Sequence, residues 1–410
     1  MLNPPDAYLN GDLQETVYMQ QPPSFPQGSP NQVCKLHKSI YGLKQAPRAW
    51  FTKLAATLSR FGFQNTRSDP SLFVRFTKTS TMYVLVYVDD ILVTCNSDSE
   101  IVQLISQLNS IFALKDLGEF NFFLGIEATK TTSGSYILSQ SKYIRDLLVR
   151  SKMHESHPMP TPMITSTKLS AHGSDVFDNP THYRSIVGAL QYATLTRPDI
   201  AYAVNKVSQY MHKPLLPHWK CVKRILRYLA GTIDQGLFFQ SCTDLTLFAF
   251  ADSDWGSDVD DRRSTTGFCV YLGTNLVSWA SRKQHSVSKS SAEAEFRSIA
   301  AAKTDLRWIL NLFTELRLQC SNTPVIYSDN ISAVLLTANP ILYNKTKHFD
   351  LDLHSVRERV NRNQLVVVHI PATDQVADLL TKPLSLPTFD RFKNKLRVLS
   401  KTTMSLRGGC

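Results

Sequence analysis

The 410-residue chain contains no run of 18 apolar residues, so no membrane span is expected. Its seven cysteines, at positions 34, 95, 221, 242, 269, 320 and 410, form no CxxC pair and no Cys/His ligand cluster. That excludes a cysteine-based zinc site and a disulfide framework. Scattered thiols in odd number fit an intracellular compartment, with cytoplasm and nucleus not distinguished. The opening residues, MLNPPDAYLN, have the pattern of neither a signal peptide nor a basic transit sequence. Acids are in deficit: 34 against 45 Lys and Arg, a net charge of +11. This is the moderate electrostatic footprint of a polyanion binder. The length and a 43% hydrophobic fraction support about two to four cored domains.

One stretch organises the rest. In Thr81 to Thr94, TMYVLVYVDDILVT, an apolar run meets Asp89 and Asp90 and a second apolar run follows at once. Val, Ile and Tyr favour strands, so the pattern predicts a hairpin with both aspartates at or near its tip. Two carboxylates between buried runs are costly unless a cation compensates them, and Mg²⁺ takes such oxygen ligands.

Tyr87-Val88-Asp89-Asp90 is the YVDD form of the reverse transcriptase motif. The surrounding sequence resembles the Pol polyprotein of copia-type LTR retrotransposons. YLNGDLQETVYMQQPPSF (8–25), LHKSIYGLKQAPRAWF (36–51) and LKDLGEFNFFLGIE (114–127) carry the likeness, which runs from about Leu2 to Leu384. The resemblance implies an α+β multidomain chain, a reverse transcriptase palm and thumb-like part followed by a ribonuclease H-like α/β domain. It further implies Mg²⁺ (or Mn²⁺) as cofactor, with an RNA template, a DNA primer, an RNA–DNA hybrid and deoxynucleotides as partners. Neither a protease nor an integrase signature is visible in these residues.

Taken in order, residues 1–155 read as a partial reverse transcriptase without its fingers. Gln20 to Pro30 is proline-rich loop, and Arg48 to Arg60 is helical with Trp50, Leu54 and Leu58 on one face. By resemblance Gln45 is a nucleotide contact. Ser97 to Glu100 reads as a capping box for a helix with Leu104, Ile105, Leu108, Ile111 and Phe112 on its stripe. Phe120 to Glu127 and Tyr136 to Leu138 read as paired strands, with Phe123-Leu124-Gly125 like a primer-gripping hairpin. Residues 156–240 begin with a proline-rich connector and continue as thumb-like helices. There Lys220, Lys223, Arg224 and Arg227 lie near Trp219 and Tyr228, a basic and aromatic mixture suited to a nucleic-acid groove.

From Leu245 strands dominate. Three strands, a long helix from about Ser291, a strand ending at Asp329, a helix, another strand and DQVADLLTKPL follow the plan of a ribonuclease H fold over residues 241–390, with 391–410 left as a tail. Asp252, Glu293, Asp329 and Asp378 then resemble the family's D-E-D-D set, which holds two Mg²⁺ ions at the scissile phosphate. Asp254 competes with Asp252 for its place, and Glu295 with Glu293. Asp252 and Glu293 are preferred, the first because the apolar run stops there. The stretch before Asp378, Pro371 to Asp374, lacks the histidine of cellular ribonucleases H, and His348 and His354 are read as structural.

One position departs from the family. The segment that elsewhere reads LDVKNAFLNGDL reads here from Leu2 to Leu13 with Asn3 in place of the first aspartate; Asp6 is three residues late, and Pro4 and Pro5 disfavour a regular strand. The expectation is a polymerase-defective chain with metal-dependent hydrolysis of RNA in RNA–DNA hybrids. The alternative is a non-enzymatic remnant that at most binds nucleic acid.

Overall fold

A computed structural model describes residues 1–4, 7–22, 29, 32–338 and 350–402. Asp6, Pro5 and His348 lie outside the described residues. The chain forms two compact units, Met1–Leu124 with Thr314–Arg317, and Gly125–Phe313 with Leu318 onward. The break at Leu124 differs from the expected boundary at residue 155.

In the first unit the strands are β1 (Leu2–Asn3), β2 (Tyr18–Gln20), β3 (Val33–Lys35), β4 (Gln64–Asn65), β5 (Leu72–Phe76), β6 (Thr81–Tyr87), β7 (Asp90–Cys95), β8 (Lys115–Asp116) and β9 (Phe122–Phe123). Helix α1 (Ala46–Arg60) precedes β4 and α2 (Asp98–Asn109) follows β7. A six-stranded sheet runs β4-β5-β6-β7-β1-β8. Met82, Val84 and Val86 alternate inward from β6, and α1 lays Trp50, Leu54 and Leu58 into the same core. Proline in the first turn of α1 suits a helix start, where no backbone N–H partner is lost. Ser97 stands at the N-cap of α2, but its side chain makes no cap bond. The helix ends at Asn109, which leaves Ile111 exposed while Phe112 turns into the core.

The second unit adds β10 (Ile126–Lys130), β11 (Tyr136–Ser139), β12 (Gln235–Phe239), β13 (Leu247–Asp254), β14 (Thr265–Leu272), β15 (Asn275–Lys283), β16 (Val325–Ser328), β17 (Val366–His369) and β18 (Val398–Ser400). Its helices are α3 (Ser141–Arg150), α4 (Pro180–Ala193), α5 (Ala201–Ser208), α6 (Leu216–Ala230), α7 (Ser291–Glu315), α8 (Ile331–Ala338), α9 (Asp350–Asn361) and α10 (Leu386–Lys395). The β10–β11 hairpin pairs with β12, and β12 with β18, all antiparallel. The stretch expected to be a tail therefore supplies an edge strand. It also supplies Phe392, Leu396 and Val398 to the core around α3–α6.

At the centre of that core Arg197 is fully buried and forks onto Asp199, with Nε to Oδ1 at 3.0 Å and Nη2 to Oδ2 at 2.7 Å. Its Nη1 donates to the Thr232 carbonyl at 2.8 Å, and Tyr228 donates to Asp199 Oδ2 at 2.5 Å. Burial opposes the Asp199 charge, but Arg197 and Tyr228 outweigh it and hold the carboxyl below its ordinary range.

The remaining sheet runs β15-β14-β13-β16-β17. β13, β14 and β15 form an antiparallel meander, while β16 lies parallel to β13 and β17 parallel to β16. Helix α7 packs Phe296, Ile299, Ala302, Leu306 and Ile309 over it. This is a ribonuclease H-like topology, and the reverse transcriptase-like and ribonuclease H-like plan read from the sequence stands.

Candidate functional site

Two acidic sites arise, one in each unit. In the first, Tyr87 pairs with Asp90, so Val88 and Asp89 make the turn and Asp90 opens β7. Val88 has φ of +52°, a region costly for a β-branched residue, on the order of 1–3 kcal/mol. The buried Trp50 ring pins the turn: its Nε1 donates to the Val88 carbonyl at 2.6 Å. β1 pairs with β7 through Leu2 and Ile91, which brings Asn3 beside Asp90, and Asn3 Nδ2 donates to Asp90 Oδ1 at 3.2 Å. The strand stops where Pro4 begins. Gln45 occupies the N-cap of α1 without a side-chain cap bond, its carbonyl accepting from Ala49 N at 3.0 Å.

In the second unit the sheet register does the assembling. β13 and β16 run parallel with Phe250 level with Tyr327, so Asp252 and Asp329, two residues further on each strand, emerge at the same height. Glu295 comes down from the first turns of α7. Asp252, Glu295 and Asp329 each offer a carboxylate oxygen within 4.8 Å of the others. Asp252 lies inside β13, which continues to Asp254; Asp254 instead accepts from Ser257 and from Thr265 N.

The helix glutamate differs from expectation. Glu293 accepts from Lys289 N at 2.9 Å and from Arg297 Nη2 at 2.7 Å, one turn along the helix. Glu295 shares its stripe with Ile299, Ala302 and Leu306, all buried against the sheet, so its carboxylate faces the strand ends. It is 7% exposed, and Oε1 accepts from Ser253 N at 3.2 Å. Its Oε2 is buried without a hydrogen-bond partner. Burial first, then the Asp252 and Asp329 carboxylates, raise Glu295 well above the usual carboxylate range. A divalent cation fits this donor set: hard oxygens, an orphaned buried oxygen, and repulsion that a cation would relieve.

Residues 375–382 close the site from one side. Val376–Leu380 is a short 3-10 helix, and Gly267, paired with Asp252 on β14, makes room for it: a Cβ there would meet Thr381 Cγ2 at 2.6 Å and Leu380 Cβ at 2.9 Å. The buried Gln375 spans Ala251 O at 2.9 Å and Asp329 Oδ1 at 3.3 Å. Thr381 donates to Asp252 Oδ2. Lys382 Nζ lies 2.8 Å from Asp378 Oδ1 and 3.8 Å from Asp252 Oδ2. Burial and Asp252 raise the Asp378 carboxyl, with Lys382 working against them. His369, at the end of β17, contacts the Asp329 carbonyl at 3.2 Å, whereas His354 is exposed on α9.

Sequence reasoning missed Gln375, Thr381, Lys382 and His369. Only Lys382 left a trace, as the cation one helical turn after Asp378.

The basic cluster on α6 lines a groove of about 590 Å³ with Met153, Ser156, His157, Met159 and Ile164. The expected aromatic interleaving is absent. Tyr228 is buried, and Trp219 stacks on Phe177 with ring centroids 4.9 Å apart.

A family model described as "Reverse transcriptase (RNA-dependent DNA polymerase)" matches residues 2–165. The retrovirus-related Pol polyprotein from transposon RE2 of Arabidopsis thaliana is 48% identical over 96% of this chain and 27% of that protein. A putative transposon Ty5-1 protein of Saccharomyces cerevisiae is 34% identical over 73% of this chain and 97% of that protein. The chain belongs to the copia-type retrotransposon Pol family. It spans about a quarter of the length of the RE2 polyprotein, so it corresponds to a fragment of a Pol polyprotein. A solved foamy viral protease–reverse transcriptase in complex with double-stranded DNA is 13% identical, with a TM-score of 0.47, over 82% of this chain and 51% of that one. No helix among the described residues is long and apolar enough to cross a membrane.

Proposed function

We propose that this Pol fragment is a metal-dependent ribonuclease H acting on RNA–DNA hybrids, carried beside a polymerase palm that does not add nucleotides. The convergence of Asp252, Glu295 and Asp329 around a buried, unpartnered Glu295 oxygen carries the reading. Asp378 is the fourth carboxylate, at the rim. These residues would hold Mg²⁺ or Mn²⁺, and the bound metal would activate water and stabilise the departing phosphate oxygen. The chain's own part is positioning. Gln375 fixes Asp329, Thr381 fixes Asp252, and Ser253 N orients Glu295.

The palm reading rests on Asn3. Two-metal nucleotide addition needs a carboxylate on the strand beside the hairpin, and an amide there holds a divalent ion far less well. Residues 1–155 are the partial reverse transcriptase, whose first compact unit ends at Leu124, 156–240 the connector and thumb-like helices, and 241–390 the hydrolase. Partners follow from this: RNA–DNA hybrid as substrate, and template and primer only as bound strands.

The test is cleavage of RNA in a hybrid by purified chain with Mg²⁺ or Mn²⁺ and with EDTA. Cleavage is expected only with metal. Asp329→Asn should abolish it while leaving the melting transition in place, because it removes a ligand and not a core contact. Equal cleavage by wild type and variant would overturn the assignment. Hybrid binding without any cleavage would favour the non-enzymatic remnant.

A further inference from the structure

Lys382 holds an unusual position for a cation. Its Nζ stands 2.8 Å from Asp378 Oδ1 and 3.8 Å from Asp252 Oδ2, at the edge of the carboxylate cluster. Asp378 Oδ1 is buried, and the Lys382 ammonium 2.8 Å away is the charged group that faces it. The Lys382 side chain keeps 42% of its surface exposed, against 2% for Asp252. It is therefore tethered at one end of a flexible stem with solvent to withdraw into. The other cluster-facing groups are neutral donors: the Gln375 amide on Asp329, the Thr381 hydroxyl on Asp252 and Ser253 N on Glu295. At this end of α7, Arg297 is committed to Glu293 at 2.7 Å.

We propose that Lys382 is a resident counter-cation that competes with the divalent ion for Asp378 and Asp252, so that it sets the metal affinity of the site. In the metal-free chain its ammonium offsets part of the repulsion among four crowded carboxylates. When a divalent cation binds, Lys382 gives up its contacts and moves toward solvent. Lys382 is a positioning residue here and has no part in bond making. The inference rests on the proposed metal-dependent hydrolase reading.

The experiment titrates the full chain with Mn²⁺, reading free ion by paramagnetic resonance. Wild type, Lys382→Met and Lys382→Arg are compared, with Asp252→Asn defining binding at this site. Lys382→Met should bind Mn²⁺ roughly tenfold more tightly, the effect of removing a solvent-screened unit charge that stands 2.8 Å from Asp378 and 3.8 Å from Asp252. Lys382→Arg, which retains the charge, should stay near wild type. Independently, reductive methylation of Lys382 in the wild-type chain, read by mass spectrometry, should rise several-fold at saturating Mn²⁺. Unchanged or weaker binding by Lys382→Met, equal tightening by Lys382→Arg, or labelling that does not rise each overturn the inference and leave the hydrolase reading standing. Wild type binding no more Mn²⁺ than Asp252→Asn overturns both.

Discussion

Asn3 donates from Nδ2 to Asp90 Oδ1 across 3.2 Å, on adjacent strands of the palm sheet. The amide meets Asp90 as a neutral donor, where an aspartate would bring a second negative charge. The unmodified 410-residue chain should therefore leave a DNA primer on an RNA template at background length. Asn3→Asp replaces that donor with a second carboxylate facing Asp90, and like charges at that range destabilise the metal-free fold. In an Asp252→Asn background, the Asn3→Asp chain should melt earlier in EDTA and recover with Mg²⁺. The parent Asp252→Asn chain should respond little to either. Primer extension by the unmodified chain would refute the polymerase-defective reading.

Glu295 and Glu293 make opposite predictions. Glu295→Gln removes a cluster oxygen and should reduce hybrid cleavage by a factor of 100 or more, on the order of what one lost electrostatic contact to the reaction costs. It should also leave the chain as stable or more stable, since it removes a buried carboxyl crowded by Asp252 and Asp329. Glu293→Gln breaks the contact with Arg297 and should cost about 1 kcal/mol while leaving the rate within a few-fold. Cleavage assays paired with urea unfolding of both variants separate the two. Loss of cleavage in Glu293→Gln alone would restore the residue preferred from the sequence.

That pair also marks where the sequence stopped being readable. Strand and helix types followed from period and punctuation: the β6–β7 hairpin, α1 from Trp50, Leu54 and Leu58, and the meander before α7 all form as the pattern dictates. Asp252 and Asp329 were legible because each follows an apolar run, and parallel pairing of β13 with β16 levels them. Choosing between Glu293 and Glu295 needed the rotation of the first turn of α7. The i,i+4 contact with Arg297 occupies Glu293 while Glu295 joins Asp252 and Asp329, and the charge of Arg297 was in the sequence all along. Gln375 and Thr381 left no signal, because a lone amide or hydroxyl in a loop has no periodicity. The boundary at Leu124 and the use of β18 were hidden for a similar reason. Pairing of β11 with β12, and of β12 with β18, spans about a hundred residues or more and has no local mark.

The buried fork between Arg197 and Asp199 should dominate the stability of the helical part of the second unit. Asp199→Ala strands a guanidinium with no exposure, and breaking such a pair costs about 3–5 kcal/mol. Arg197→Met with Asp199→Leu should cost markedly less than Asp199→Ala alone, since no charge is then left unpaired. Urea unfolding of the single and double variants measures the difference. A double variant as unstable as the single would show that shape, and not the orphaned charge, sets the cost.

The basic groove on α6 divides its four cations by what they already hold. Arg224 Nη2 donates to Thr161 Oγ1 at 2.9 Å, and Arg227 Nε to the His157 carbonyl at 2.6 Å, so both clamp the connector that forms the opposite wall. Lys220 and Lys223 line the same groove, and neither has a salt-bridge partner within 4.0 Å among the described residues. If hybrid lies in this groove, the lysines supply the labile phosphate contacts. Each neutralised phosphate releases condensed counterions, so a Lys220→Ala, Lys223→Ala chain should lose roughly 2 from the slope of log affinity against log salt. The melting temperature of that chain should barely move. An Arg224→Ala, Arg227→Ala chain should instead lose stability, because it frees the 153–164 wall, and its slope should fall only as far as the arginines also reach phosphate. Binding isotherms across a salt series, with melts of the same samples, distinguish the two sets. An unchanged slope in the double lysine variant would put the hybrid on another face of the unit.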